Sequence, residues 1–298
     1  VDIEQAIEAV RRLPPHGALA REAARLRRDE TAGSLAIAGN ELTRAELDTL
    51  AERGLAAGGH PLAHYTAARD LLAAAAWVVG QRSIPAADPR PLITIEDVRR
   101  LHGLATAGQP ELRPGVWRLA VEPASAGIVS PPPWLIAKET TALVERFRRR
   151  PAIADAPLWL AHFLARYARI RPFGSANGRA GRLAASLLLR RLDIVPLALP
   201  RERSSDYRRA VLAAEGGAPQ ALHALLQTTL LQSCRRLIAA AGTEPLVPLR
   251  SLAGANYAAL IKAARRGRLA TIERDGRILT TAAWVADYRA SRRLGTPR

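Results

Sequence analysis

Ile170-Arg171-Pro172-Phe173-Gly174-Ser175-Ala176-Asn177-Gly178-Arg179-Ala180-Gly181-Arg182 is the stretch whose reading decides the fold. From Pro157 onward apolar residues recur at helical spacing, with Leu160, Leu164 and Ala168 on one stripe and Phe163, Tyr167 and Ile170 beside it. Leu183, Leu187 and Leu188 open a second helix. Between the two lies a tight loop holding Gly174 and Gly178, followed by Arg179 and Arg182. A small-residue loop that feeds a helix N-terminus presents unpaired N–H groups and a positive dipole end, which together attract an anion. Arginines in a first helical turn oppose the dipole, so their placement calls for another cause, such as a phosphate. The plainer reading is that Asn177 caps a helix and the arginines are solvated.

The stretch resembles the signature loop of the Fic family, H-P-F-x-[DE]-G-N-G-R-x-x-R, with Pro172, Phe173, Asn177, Gly178, Arg179 and Arg182 in register. The resemblance implies a mainly α fold: a Fic-fold helical bundle with a small β-hairpin flap. It also implies protein adenylyltransferase chemistry, with AMP passing from ATP to a target hydroxyl. The nucleotide phosphates would meet Gly174, Ser175, Ala176, Asn177, Gly178, Arg179 and Arg182, and Arg171 and Asn177 fall at catalytic positions.

Three positions depart from the pattern. Arg171 stands where the family places its general-base histidine, Ser175 where it places the acidic Mg²⁺ ligand, and Ala176 at the first motif glycine. A guanidinium has no acceptor lone pair and stays charged, so it cannot take a proton. Loss of a positioned base costs about 10²–10⁴-fold in rate. A hydroxyl is a weak ligand for a hard cation, so Mg²⁺ lacks its usual carboxylate and no metal ligand is assigned. The loop keeps its phosphate-binding character while the usual chemistry is impaired or altered. The alternative is a catalytically inactive, nucleotide- or phosphate-ligand-binding transcriptional regulator.

The chain has 298 residues, a formal charge of +17 and a pI near 11.4, with 48% apolar but only 4% aromatic residues. Ala- and Leu-rich composition fits a helical protein. The charge invites nucleic acid, but Lys138 and Lys262 are the only lysines among 44 basic residues, and such arginine skew points to a GC-rich, bacterial genome. Cys234 is the sole cysteine, which excludes an intrachain disulfide and fits a reducing cytoplasm. The apolar run Leu71–Val79 is too short to span a bilayer, and Asp2, Glu4 and Glu8 are unlike a signal peptide, so no membrane partner is expected.

Residues 1–85 read as an N-terminal helical region, broken at Pro14-Pro15. Within it, residues 31–40 resemble the family's inhibitory helix, [ST]-x-x-x-E-[GN]; Ser34 and Gly39 match, but Ala38 stands at the glutamate position. The resemblance implies that Arg182 has lost its inhibitory partner. Thr43-x-x-Glu46 and Thr94-x-x-Asp97 read as helix-capping boxes. His60 and His64 have metal-pair spacing, but with no carboxylate or third histidine nearby in sequence they are not read as a site. His102 is expected to pack or hydrogen-bond within the core.

Residues 86–242 form the expected Fic core, with the signature loop at 171–182. Its flap, at about 116–130, is expected as a hairpin of Leu119–Glu122 and Gly127–Ser130 that docks a target protein segment by strand addition. His162, the nearest histidine to the loop, points by its helical phase at packing. Gly242–Pro248 reads as a linker. Residues 249–298 read as two short helices, Ser251–Gly254 and Asn256–Arg266, then strands Ala270–Arg274 and Arg277–Thr280 around Asp275-Gly276, then a helix. That order resembles an excisionase/MerR-type winged helix, which implies DNA contacts through Asn256, Tyr257, Lys262, Arg265, Arg266, Arg268, Arg274 and Arg277.

Overall fold

The computed structural model describes residues 2–14, 17–123, 127–241, 246–266, 268–274 and 277–294. The chain is mainly helical, as its composition indicates. Helices α1 (Ile3–Arg11), α2 (Gly17–Ile37), α3 (Arg44–Arg53) and α4 (Leu62–Val79) lead into α5 (Ile95–Ala105) and α6 (Ile136–Phe147). Then come α7 (Ala156–Ile170), α8 (Asn177–Arg191), α9 (Ser204–Glu215) and α10 (Gln220–Ala240).

Local chemistry sets several of these boundaries. Thr43 and Thr94 each form a complete capping box, with Glu46 and Asp97 returning a carboxylate to the N-cap N–H. Gly54 takes the left-handed conformation that closes α3. At Gly33 on α2 a Cβ would lie 1.9 Å from the Leu199 carbonyl, so only glycine lets α2 pack this closely.

Helix α7 is the central element, packed against α6, α8, α9 and α10. Its Phe163 packs edge-on against Phe147 of α6, and Tyr167 lies tilted beside Phe163. One hydrophobic core runs from Ile3 to Leu237, so residues 1–85 and 86–242 are joined through it. Helix α2 is also locked to α10 by charge: Arg236 pairs with the buried Glu22 at 2.7 Å and with Asp29 at 2.8 Å. Cys234 lies in the same core, where burial pushes its thiol up to about 12, as expected of an inert cysteine.

The expected flap hairpin is not formed among the described residues. Residues 116–123 carry no strand, Ile128 is a lone bridge position, and 124–126 lie outside the described residues. The backbone there is occupied otherwise. Arg118 donates its N–H to the Pro172 carbonyl at 3.0 Å, tying this segment to the signature loop. Prolines at 123 and 131–133 supply no N–H for a ladder. The segment nonetheless leaves Leu119, Val121 and Val129 exposed.

A second, smaller hydrophobic cluster includes Leu249, Leu260, Ala263, Leu269, Trp284 and Val285. It gathers strand β1 (Val247–Pro248), α11 (Leu249–Ala253), a 3-10 turn (Gly254–Asn256), α12 (Tyr257–Arg265), β2 (Ile272–Arg274), β3 (Arg277–Thr280) and α13 (Ala282–Leu294). The strands form an antiparallel sheet in the order β1-β3-β2. Val247 and Pro248 therefore belong to a strand rather than to the linker expected at 242–248, whose residues 242–245 lie outside the described residues. Hydrogen bonding to β3 overrides the proline signal, because Pro248 stands on an edge strand. Thr281 caps α13 through a 3.1 Å bond from the Trp284 N–H. Among the described residues no helix is long and apolar enough to cross a membrane.

Candidate functional site

The loop between α7 and α8 is built from two left-handed residues. Arg171, at the C-cap of α7, has φ 46°, and Ala176, at the N-cap of α8, has φ 52°. A non-glycine residue in this region costs about 1–2 kcal/mol, so the loop must be held by other contacts. Asn177 supplies one set. Its Nδ2 donates to the Phe173 carbonyl at 2.7 Å and its Oδ1 accepts the Phe173 N–H at 2.9 Å. Asn177 is thus the first helical residue and closes the loop, rather than capping the helix as the plainer reading had it.

Phe173 is buried in a stack between His102 (ring centroids 3.8 Å apart) and Trp117 (4.9 Å). His102 is buried, accepts the Gly115 N–H on Nδ1 at 3.0 Å, and is pulled down to about 4 by burial. It is a neutral support beneath the loop.

Arg118 supplies the other set. It is 4% exposed, and its guanidinium donates to the carbonyls of Arg171 (2.7 Å) and Ala120 (2.8 Å) and to that of Pro131. One side chain therefore joins both limbs of the flap segment to the signature loop.

The loop opens on a cleft of about 620 Å³. Arg171, Ala176, Asn177, Gly178, Arg179 and Arg182 line one wall; Ile37 of α2, Ala38 just after it, and Tyr207, Arg208 and Glu215 of α9 close it. Gly174 and Ser175 do not line it, and the Ser175 Oγ is buried without a hydrogen-bond partner. The first intrahelical bond of α8 runs from the Ala180 N–H to the Ala176 carbonyl, so the N–H groups of residues 177–179 precede the ladder. Arg179 leaves its buried Nη1 without a partner at this wall, and burial pulls the group below the usual arginine range. A buried, unpaired cationic donor beside a helix N-terminus has the chemistry to receive an anion.

Arg182 is held from the side by α2. Its Nε donates to the Ser34 Oγ and its Nη2 to the Ser34 carbonyl, both at 2.8 Å, and it lies over the Tyr207 ring at 5.7 Å. Ala38, one turn beyond Ser34, reaches the cleft with a methyl group only. Gly39 follows in the left-handed conformation and ends the helix.

No histidine lines the cleft among the described residues. His162 is exposed rather than packed: its neighbours Ala161 and Phe163 take the buried face of α7. Glu215 is the only carboxylate in the wall among the described residues, and sequence reasoning missed it. Its Oε2 is buried without a partner, and burial raises its pKa against the opposing charges of Arg171 and Arg169. Nothing local marks it in the sequence, since it lies at the end of α9, 44 residues beyond Arg171.

In the smaller module Asn256, Lys262, Arg265, Arg266, Arg268 and Arg277 are exposed, and no carboxylate among the described residues pairs with these cations. Tyr257 carries the Arg250 guanidinium 5.1 Å from its ring. Arg274 is the third residue of β2, and its side chain lies outside the described set.

Residues 92–189 match the sequence model of the Fic/DOC family. No curated protein matches the chain. In fold it is similar to the Fic-1 segment 134–508 from C. elegans, with a TM-score of 0.71 and 19% identity over 81% of this chain and 71% of that one. It is also similar to a Fic domain containing signaling protein from Bacteroides thetaiotaomicron (TM-score 0.69, 19% identity, 81% of this chain and 97% of that one). A Fic family protein from Desulfovibrio desulfuricans G20 matches over 93% of this chain and 85% of its own, with a TM-score of 0.58 and 18% identity. The chain thus carries a Fic/DOC family domain at residues 92–189, within a fold that most of its length shares with solved Fic proteins.

Proposed function

We propose that the cleft binds a nucleotide or another phosphorylated ligand and transfers its nucleotidyl group slowly or not at all. The observation that carries this reading is the buried, partnerless Nη1 of Arg179 at the N-terminus of α8, in a wall that has Arg171 where the family has a base. Three guanidinium groups favour phosphate oxygens. Extra affinity for the bound ground state does not lower the barrier to transfer.

Glu215 supports a second reading, in which the protein is a Fic-type AMP transferase with a displaced base. A carboxylate with a raised pKa and a free buried oxygen can accept the proton of a Ser, Thr or Tyr hydroxyl. The two readings separate in one assay, transfer of label from α-phosphate-labelled ATP to proteins of a cell lysate. The first expects little or no label from the parent protein, and none that depends on Glu215. Label that disappears in Glu215→Gln would overturn it and establish the second. Mg²⁺ has no carboxylate at position 175, so neither reading assigns it a ligand on the loop.

For the C-terminal module we propose a winged-helix role in binding DNA, supported by the exposed cations on and after α12, which no carboxylate among the described residues pairs, and by its helix–turn–helix and hairpin order. Phosphate contacts release counterions, so affinity for a random-sequence duplex is expected to fall about 10³-fold or more between 50 and 200 mM salt if roughly six contacts form. Retention indifferent to salt would contradict this. The exposed apolar residues Leu119, Val121 and Val129 support the flap segment as the docking place for a target protein.

A further inference from the structure

Three metal-ligand side chains that lie apart in the sequence converge just beyond the C-terminal end of α2. One donor atom from each of Glu41, His60 and His64 lies within 4.8 Å of the other two, and His60 Nδ1 is 3.9 Å from the Glu41 carboxylate. We propose that these residues bind a divalent transition-metal ion of the Zn²⁺ class, tying the segment after α2 to the start of α4.

The surroundings point the same way. The Glu46 carboxylate oxygens lie 3.2 and 3.3 Å from His60 Nε2, which leaves Nδ1, on the side of Glu41, as the nitrogen that would ligate the ion. A carboxylate behind a ligating imidazole orients the ring and raises its basicity. Glu46 is itself fixed by the Thr43 N–H at 2.7 Å, in the capping box of α3. Its close approach needs Gly58, where φ is +97° and a Cβ would fall 1.7 Å from the Glu46 Oε1.

The backbone around both imidazoles is fixed. The His60 N–H donates to the Tyr65 hydroxyl at 3.1 Å, and the Tyr65 hydroxyl to the Ala57 carbonyl at 2.6 Å. The buried Asn40 holds the His64 carbonyl at 2.9 Å.

A plain ion pair of protonated His60 with Glu41 and Glu46 is the competing explanation, and it leaves one fact without a cause. His64 Nδ1 is buried and has no hydrogen-bond partner. An unpaired buried polar atom costs about 1–3 kcal/mol, and an ion that His64 ligates through Nδ1 would satisfy it. Two imidazoles and one carboxylate form a nitrogen–oxygen set suited to tetrahedral Zn²⁺, with a fourth position left for water. Mg²⁺ and Ca²⁺ prefer oxygen alone. Bonds of about 2.0–2.2 Å would bring the donors somewhat closer than they stand. The exposed Glu41 side chain is free to make that move.

The test is a Zn²⁺ titration of the full chain, stripped with a chelator and read by competition with a chromophoric chelator. One equivalent per chain is expected. His60→Ala and His64→Ala should each lose it, and Glu46→Gln should weaken it about 10–100-fold. Glu41→Gln changes an exposed side chain that the fold does not use, so it should weaken binding about tenfold or more with an unchanged melting temperature in chelator. Failure of the parent chain to take up Zn²⁺ would overturn the proposal. So would uptake that survives both histidine substitutions, which would place the ion elsewhere.

Discussion

Replacing Arg171 by His and Ser175 by Asp together is expected to raise AMP transfer from labelled ATP by about 10²–10⁴-fold over the parent chain, the range a positioned general base supplies. The scaffold for this gain is already present. Arg171 sits at the mouth of the cleft on a backbone fixed by Arg118, and Asn177 closes the loop independently of residue 171. An imidazole introduced there exchanges a permanent cation for a proton acceptor. The aspartate returns the family's acidic residue to position 175, and because the serine hydroxyl there is buried and does not line the cleft, the longer carboxylate must turn outward to offer Mg²⁺ a hard oxygen ligand. The single Arg171→His variant should recover part of the gain. Ala38→Glu, added to the double variant, should reduce it again. It would place a carboxylate in the cleft lining just after α2, close to the residues Arg182 lies among. A double variant as silent as the parent would show that the loss lies in the scaffold and not in these two side chains.

Arg118→Ala is expected to cost about 3–5 kcal/mol of stability, seen as a lower urea midpoint. The guanidinium is buried and donates to carbonyls of Ala120, Pro131 and Arg171, all left without that donor when it is removed. These hydrogen bonds are partly buried, and each hydrogen bond from a charged donor contributes about 1.5–3 kcal/mol. Arg118→Lys should recover little of this, because an ammonium cannot reach several carbonyls in one plane. The same variant should loosen Arg171 and so reduce ligand affinity as well as stability. A midpoint shift below about 1 kcal/mol would show that the flap segment is held by its packing and not by this fork.

The helices of this chain are legible in its sequence because their signals are local. The stripe Leu160, Leu164, Ala168 and the two capping boxes at Thr43 and Thr94 each lie within a few residues, and each forms as read. Expectations that rest on what lies opposite a segment fare worse. The flap pattern suits a hairpin, yet its backbone is claimed by Pro172 and its carbonyls by Arg118, neither of which strand periodicity can register. Glu215 enters the cleft only because α9 crosses α7. The same holds for Glu41: it precedes His60 by 19 residues, and the turn through α3 brings the two together. At the signature loop the sequence reading goes furthest, since the two helices and the loop between them are contiguous. Even there, that Ser34 takes the side of Arg182 follows from the packing of α2 on α8 and not from spacing.

Calorimetric titration of ATP into the full chain, with and without Mg²⁺, bears most directly on whether the cleft receives phosphate. Binding heat is expected in both conditions, since the guanidinium wall and the N-terminus of α8 need no metal, and Arg179→Ala should weaken affinity by about tenfold or more. No heat in either condition, or affinity indifferent to Arg179→Ala, would contradict a phosphate-receiving loop.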